Sequence, residues 1–326
     1  MQSNTIREIQ RHRRPWPSSR PAPLPTRPRG WKAIRPAILL VRPQQWVKNV
    51  LLFAPLLLAH HYGDPACLAT TTLAFAVFCG CASSVYVIND WVDREADRRH
   101  PRKCRRPLAS GEISPQRALA IATVLWAVSF AVSLGFLSWR FNAIFATYFV
   151  LTSLYTFWLK RKIMVDVLLL AGLYTLRVLA GGAAAGVPVS QWFLAFSVFL
   201  FSSLALAKRY AELARLADEN QQRPHGRGYQ VDDLQVLLSI GPTNGYLAVL
   251  VFALYINSDD VSRLYPNVQV LWLVCPLLLY WVGRLWMLAK RRLLSEDPVV
   301  FAIRDRVSLA VGAIAWGLAM IAAHQW

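Results

Sequence analysis

Asn89, Asp90, Asp93 and Asp97 stand within nine residues at the end of a long apolar segment. At about 100° per residue on a helix, Asp93, Asp97 and Asp90 fall near 40°, 80° and 100° from Asn89. All four share one face, spread over about 12 Å of helix axis. Carboxylates crowded like this repel one another unless a cation binds them, and hard oxygen donors suit Mg²⁺. Mg²⁺ in such a site joins carboxylates to the phosphates of a substrate. Arg98, Arg99, Arg102, Lys103, Arg105 and Arg106 follow at once, and an Arg fork meets phosphate oxygens in pairs. The spacing predicts chemistry on a diphosphate. Asp90, Asp93 and Asp97 would be the catalytic and metal-binding residues, with Asn89 and Arg106 as substrate contacts. The plain alternative is a solvated helix end whose aspartates pair with neighbouring arginines.

Other polar groups cluster at segment ends. Tyr155, Lys160 and Asp166 lie around one such end; an acid so close to a membrane needs a partner, a capping role or a function. Arg177 lies eleven residues beyond Asp166, about 16 Å deeper and about 20° away around the helix. An Arg at that depth is expected to face a bundle interior or polar cavity. Lys48 and Asn49 open the first apolar segment and Lys208 closes the sixth. These residues complete the expected substrate-binding set, with Lys48, Lys160, Arg177 and Lys208 as the groups that would position phosphates.

The elements that carry these residues are apolar. The chain has 326 residues, 55% of them hydrophobic, with a mean hydropathy of +0.33. Nine spans are expected, near 37–60, 66–90, 115–136, 140–159, 164–185, 190–210, 233–256, 268–289 and 301–323. The fold class is therefore all-α, a polytopic membrane protein. Residues 1–36 read as a basic Pro/Arg-rich tail, expected to be disordered and cytoplasmic; 37–326 form the transmembrane catalytic domain. No apolar run follows the basic residues before about position 37, so no cleavable signal peptide is expected. Of the 36 Lys and Arg, all but Arg140, Arg177 and Arg263 fall on one side of the nine spans. By the positive-inside rule that side is cytoplasmic, with the amino terminus inside and the carboxyl terminus outside an inner membrane. The net charge of +18 thus follows from topology and does not point to nucleic acid. Five scattered cysteines predict free thiols and no disulfide framework.

Asn89-Asp90-x-x-Asp93-x-x-x-Asp97, followed by Arg106-Pro107-Leu108-Ala109-Ser110-Gly111, resembles the first aspartate-rich signature of the UbiA superfamily of intramembrane prenyltransferases. The resemblance covers about residues 37–323. It implies a nine-helix bundle around a central cavity open to the cytoplasm. Mg²⁺ and a diphosphate would bind beneath cytoplasmic loops, and a lateral opening would admit a lipid chain. Ordinary members carry a second motif of the Asp-x-x-x-Asp kind; the corresponding stretch here, Tyr155 to Asp166, holds one Asp. With Arg42-Pro43-x-Gln45-Trp46-x-Lys48-Asn49, this is more similar to the decaprenyl-phosphate phosphoribosyltransferase branch. That branch implies a phosphoribosyl diphosphate donor and a polyprenyl phosphate acceptor, on the route to cell-envelope glycans. Transfer of a polyprenyl chain from its diphosphate to an aromatic or tetrapyrrole acceptor stays open, because it uses the same metal site. A cation transporter is the third reading, and it would show polar groups on both sides of the midplane.

Overall fold

Short polar residues start most of the long helices. Asp64 accepts from the amides of Ala66 and Cys67 at the head of α3 (Pro65–Val92), with Pro65 at the first helical position. Ser114, Ser138 and Ser190 cap α5 (Pro115–Phe136), α6 (Trp139–Phe157) and α8 (Gln191–Asp218) in the same way. Each cap satisfies amides that the first turn leaves without a partner. Before α3 come α1 (Trp31–Val41), a 3₁₀ segment (Pro43–Phe53) and α2 (Ala54–Leu58), and after it α4 (Arg94–Arg99). The remaining helices are α7 (Val165–Ala185), α9 (Leu234–Ile256), α10 (Asp259–Ser262), α11 (Val268–Leu271), α12 (Val274–Lys290), α13 (Pro298–Arg304) and α14 (Arg306–Ala323). This computed structural model describes residues 31–99, 103–219, 228–262, 264–294 and 297–324, and among them no strand occurs. The expected tail lies outside the described residues as far as residue 30; residues 31–36 are helical.

Seven helices are long and apolar enough to cross a membrane, two fewer than expected among the described residues. The first expected span is broken at Arg42, whose φ of 55° is left-handed, and continues as a 3₁₀ segment from Pro43. Proline cannot continue the preceding helical hydrogen bonds, which makes Pro43 a natural break. The fourth is a helix of 19 residues, but Arg140, Asn142 and three threonines dilute its apolar character. The expected ninth span divides at Asp305, which ends α13 and caps α14 through the Ser308 amide. All five cysteines are free, as expected.

Helix α7 is the hinge of the packing. Val167, Ala171, Tyr174 and Val178 join a core with residues of α8, α9 and α12, while Leu173 and Ala180 join a second core with α3 and α6. Close approach rests on glycine at Gly181, where a Cβ would lie 2.0 Å from the carbonyl oxygen of Leu52. The 3₁₀ segment is thereby held against α7. Helices α5 and α14 instead present Val124, Leu134, Phe136, Leu309, Ile314 and Ile321 outward. An apolar exterior of this kind is what a bilayer-facing surface requires. The chain is a multi-pass membrane protein.

Candidate active site

The helical spacing at the end of α3 survives folding. Helix α3 ends at Val92 and α4 begins at Arg94, but the amides of Asp93 and Asp97 still bond to the carbonyls of Asn89 and Asp93 at 2.9 and 2.8 Å. Asp90 and Asp97, predicted about 20° apart, converge on one nitrogen: Arg106 Nη1 lies 3.0 Å from Asp90 Oδ1 and 2.5 Å from Asp97 Oδ2. Arg42 Nη2 adds a second contact to Asp90 Oδ1 at 2.6 Å. Asp90 and Asp97 are buried. Asp93 lies 3.6 Å from Lys160 Nζ. Asn89 is half-buried, and no described hydrogen bond uses its side chain. The arginine pairing that the sequence admits as an alternative is thus present. Two carboxylate oxygens two helical turns apart bracket one positively charged nitrogen. That donor set, two or three carboxylate oxygens with Asn89 beside them, suits Mg²⁺ once Arg106 gives way.

Asp166 lies in a second, separate group. It is wholly buried, 2.8 Å from the equally buried Arg209 Nε, and its Oδ1 accepts from the Tyr229 hydroxyl at 2.7 Å. The Tyr229 oxygen in turn accepts from the Met164 amide. Arg209 also pairs with Glu212 and donates to the Tyr155 hydroxyl at 3.2 Å. This network ties α6, α7 and α8 to the loop before α9.

The third group is deeper. Arg177 donates to Asn49 Oδ1, to the Leu173 carbonyl and to the Tyr148 hydroxyl, and its guanidinium lies over the rings of Tyr148 and Tyr174. No described carboxylate lies within ion-pair distance of it. Next to Asn49, Lys48 forms a close ion pair with Asp297, which Lys208 also approaches at 4.0 Å. Burial disfavours a charged Asp297, but Lys48 and Lys208 outweigh that and hold its carboxyl below the usual range.

The twelve expected site residues therefore fall into three neighbourhoods. Asn89, Asp90, Asp93, Asp97, Arg106 and Lys160 come together; Tyr155 joins Asp166; Lys48, Asn49, Arg177 and Lys208 line the interior. Sequence reasoning missed Tyr229 and Asp297. Asp297-Pro298 is an N-cap followed by proline at the first helical position, a pattern visible in sequence; nothing local singles out Tyr229.

A cavity of about 540 Å³ opens at the far end of the bundle, among Pro55, Trp192, Phe196, Tyr255, Tyr265 and Trp316. Among the described residues its lining holds no Asp, Glu, Lys or Arg. Near it, His61, Asp64 and Cys67 bring their ligand atoms within 4.8 Å of one another, but Asp64 is already engaged as the cap of α3.

A family model described as the UbiA prenyltransferase family matches residues 50–304. Two rhizobial proteins are each 36% identical. The nodulation protein NoeC of Azorhizobium caulinodans aligns over 84% of this chain and 89% of its own length. The uncharacterized protein y4nM of Sinorhizobium fredii aligns over 82% of this chain, which spans only 52% of that protein. The decaprenyl-phosphate phosphoribosyltransferase of Mycobacterium tuberculosis is 33% identical over 83% of this chain and 88% of its own. A UbiA homolog from Archaeoglobus fulgidus, solved with GPP and Mg²⁺, shares the fold with a TM-score of 0.67 at 16% identity, over 88% of this chain and 99% of that one.

Proposed function

The chain belongs to the UbiA prenyltransferase family, and from that premise we propose that this transferase moves a phosphoribosyl group from phosphoribosyl diphosphate to a polyprenyl phosphate such as decaprenyl phosphate. The product would feed cell-envelope glycan precursors. The reaction would face the cytoplasm, in a nine-span bundle of the inner membrane.

The observation that carries this reading is the state of Asp166. It is the acid of the stretch where a second aspartate-rich motif would be expected, and it is fully buried between Arg209 and Tyr229. Among the described residues the site therefore offers one aspartate cluster, on α3 and α4, and a separate basic zone at Lys48 and Lys208. One acidic and one basic zone suit two phosphorylated substrates, one of them metal-bound. The relation to the mycobacterial phosphoribosyltransferase supports the same choice.

Asp90, Asp93 and Asp97 would hold Mg²⁺, which supplies charge neutralisation for the departing diphosphate. Asn89 and Arg106 would orient donor oxygens, and Arg106, freed from Asp90 and Asp97, would have its fork available for phosphate. The bond from the anomeric carbon to the diphosphate breaks, and a lipid phosphate oxygen forms the new bond. That oxygen is ionised at neutral pH, so no strong general base is required. Lys48 and Lys208 would place the second phosphate for attack. Polyprenyl transfer to another acceptor would use the same aspartates and remains the alternative.

The test incubates purified protein with Mg²⁺, polyprenyl phosphate and labelled phosphoribosyl diphosphate. Label should appear in the lipid fraction. An unlabelled lipid fraction, together with prenylation of 4-hydroxybenzoate from a polyprenyl diphosphate, would replace this reading with the alternative.

A further inference from the structure

Tyr86 stands on the aspartate face of α3. On the helical projection it falls about 60° from Asn89, between Asp93 and Asp97, and about 6 Å before Asp90 along the axis. The Arg42 guanidinium lies over its ring, 5.5 Å from the centroid, while donating to Asp90 Oδ1 at 2.6 Å. Tyr86 is also within electrostatic reach of Lys48 and of the Tyr148 and Tyr174 hydroxyls. Its side chain is half-buried, and no hydrogen bond among the described residues uses its hydroxyl. The Tyr148 hydroxyl, by contrast, is taken by Arg177 at 2.7 Å. Tyr86 thus offers a phenol where the aspartate cluster meets the zone around Lys48.

We propose that the Tyr86 hydroxyl binds a ribose hydroxyl of the donor and so selects a sugar diphosphate over a prenyl diphosphate. The ribose as ligand rests on the proposed reaction. With the diphosphate held at the aspartates, the group bonded to it lies beside that cluster, and attack from the Lys48 side brings this group past Tyr86. A sugar hydroxyl is neutral and both donates and accepts. A phenol does the same, whereas carboxylates only accept and ammonium groups only donate. A prenyl chain offers the phenol no partner; it would strip water from the hydroxyl and leave it unpaired, which penalises the wrong donor. The ring supports Arg42 and the hydroxyl does the selecting, so one substitution separates the two.

Tyr86→Phe removes the oxygen and keeps the ring under Arg42. No described protein group loses a hydrogen bond, so the variant should melt like the parent. Calorimetry on the purified full chain, with Mg²⁺ and no lipid acceptor, compares phosphoribosyl diphosphate, inorganic diphosphate and geranyl diphosphate. The parent should bind phosphoribosyl diphosphate most tightly. Tyr86→Phe should bind it roughly tenfold more weakly, hold inorganic diphosphate unchanged and bind geranyl diphosphate at least as well as the parent does. Unchanged inorganic diphosphate also certifies an intact metal site. Equal loss for all three ligands would mark a structural role and overturn the assignment. Undiminished binding of phosphoribosyl diphosphate would overturn it too, and if the lipid is still labelled the contact falls while the reaction stands. Selective loss without lipid labelling keeps the contact and rejects only the acceptor. A parent that binds geranyl diphosphate but not phosphoribosyl diphosphate sinks both.

Discussion

Asp90 and Asp97 show how far residue spacing alone can reach. Seven positions apart, they were expected one above the other, and a single guanidinium nitrogen joins them. Asp93, between them in sequence, pairs with Lys160 rather than with Arg106. In the proposed site, neutralising either acid removes a ligand without altering its shape. Asp90→Asn and Asp93→Asn are each expected to lower turnover by roughly 10²-fold or more, read in the lipid-labelling assay at saturating Mg²⁺. Near-normal turnover in either variant would remove that residue from the metal set. The roles of Asp166 and Asp297 were not legible in the same way. Their partners, Arg209 and Tyr229 for one, Lys48 and Lys208 for the other, lie 43 to 249 positions away in sequence, and only the packed bundle brings them together.

Among the elements, α7 bears the greatest structural demand. Its Asp166–Arg209 pair is buried on both sides, and without Asp166 the guanidinium keeps only Glu212 and the Tyr155 hydroxyl. Asp166→Ala should cost roughly 1–3 kcal/mol. Tyr229→Phe, which leaves the Met164 amide and one Asp166 oxygen short of a partner, should cost roughly 1–3 kcal/mol. Thermal unfolding in detergent would read both, and a Tyr229→Phe protein as stable as the parent would mean that the loop before α9 is not held through this hydroxyl. At the other end of α7, Gly181→Ala drives a methyl into the Leu52 backbone. It should destabilise by roughly 1–3 kcal/mol and displace the segment bearing Lys48. The start of α14 has its own pH signature. Hydrogen bonds from Arg284, with those of Ser308, hold the Asp305 carboxyl at about 2, against an ordinary 3.8. A depressed carboxyl stabilises the fold above its unfolded pKa. The contribution is lost as pH falls from about 4 towards 2, so Asp305→Asn should flatten the melting temperature across that window. Apolar length and prolines made the seven membrane-crossing helices among the described residues readable, and Pro43 marked the break of the first expected span. The division at Asp305 was not readable, since a capping acid within an apolar run leaves its average character intact.

On the scale of the whole molecule, orientation is the premise that joins a charge count to a reaction. Along the sequence the basic residues gather on the side of the expected spans that carries the aspartates, and the positive-inside rule would put that side in the cytoplasm. Native cysteines allow a direct check. Cys67 lies near the start of α3, at the end opposite the aspartates, and Cys104 lies in the loop that follows them; both are partly accessible, while Cys79, Cys81 and Cys275 are buried. A membrane-impermeant maleimide applied to intact spheroplasts should modify Cys67 and spare Cys104. Permeabilised cells should show both modified, as located by peptide mass spectrometry. Buried thiols should stay unmodified in either case, which guards against counting unfolded protein. The reverse pattern, Cys104 modified from outside and Cys67 protected, would put the aspartates on the outer face. Cytoplasmic phosphoribosyl diphosphate could not reach them there, and the proposed reaction would fail however well the individual side chains fit it.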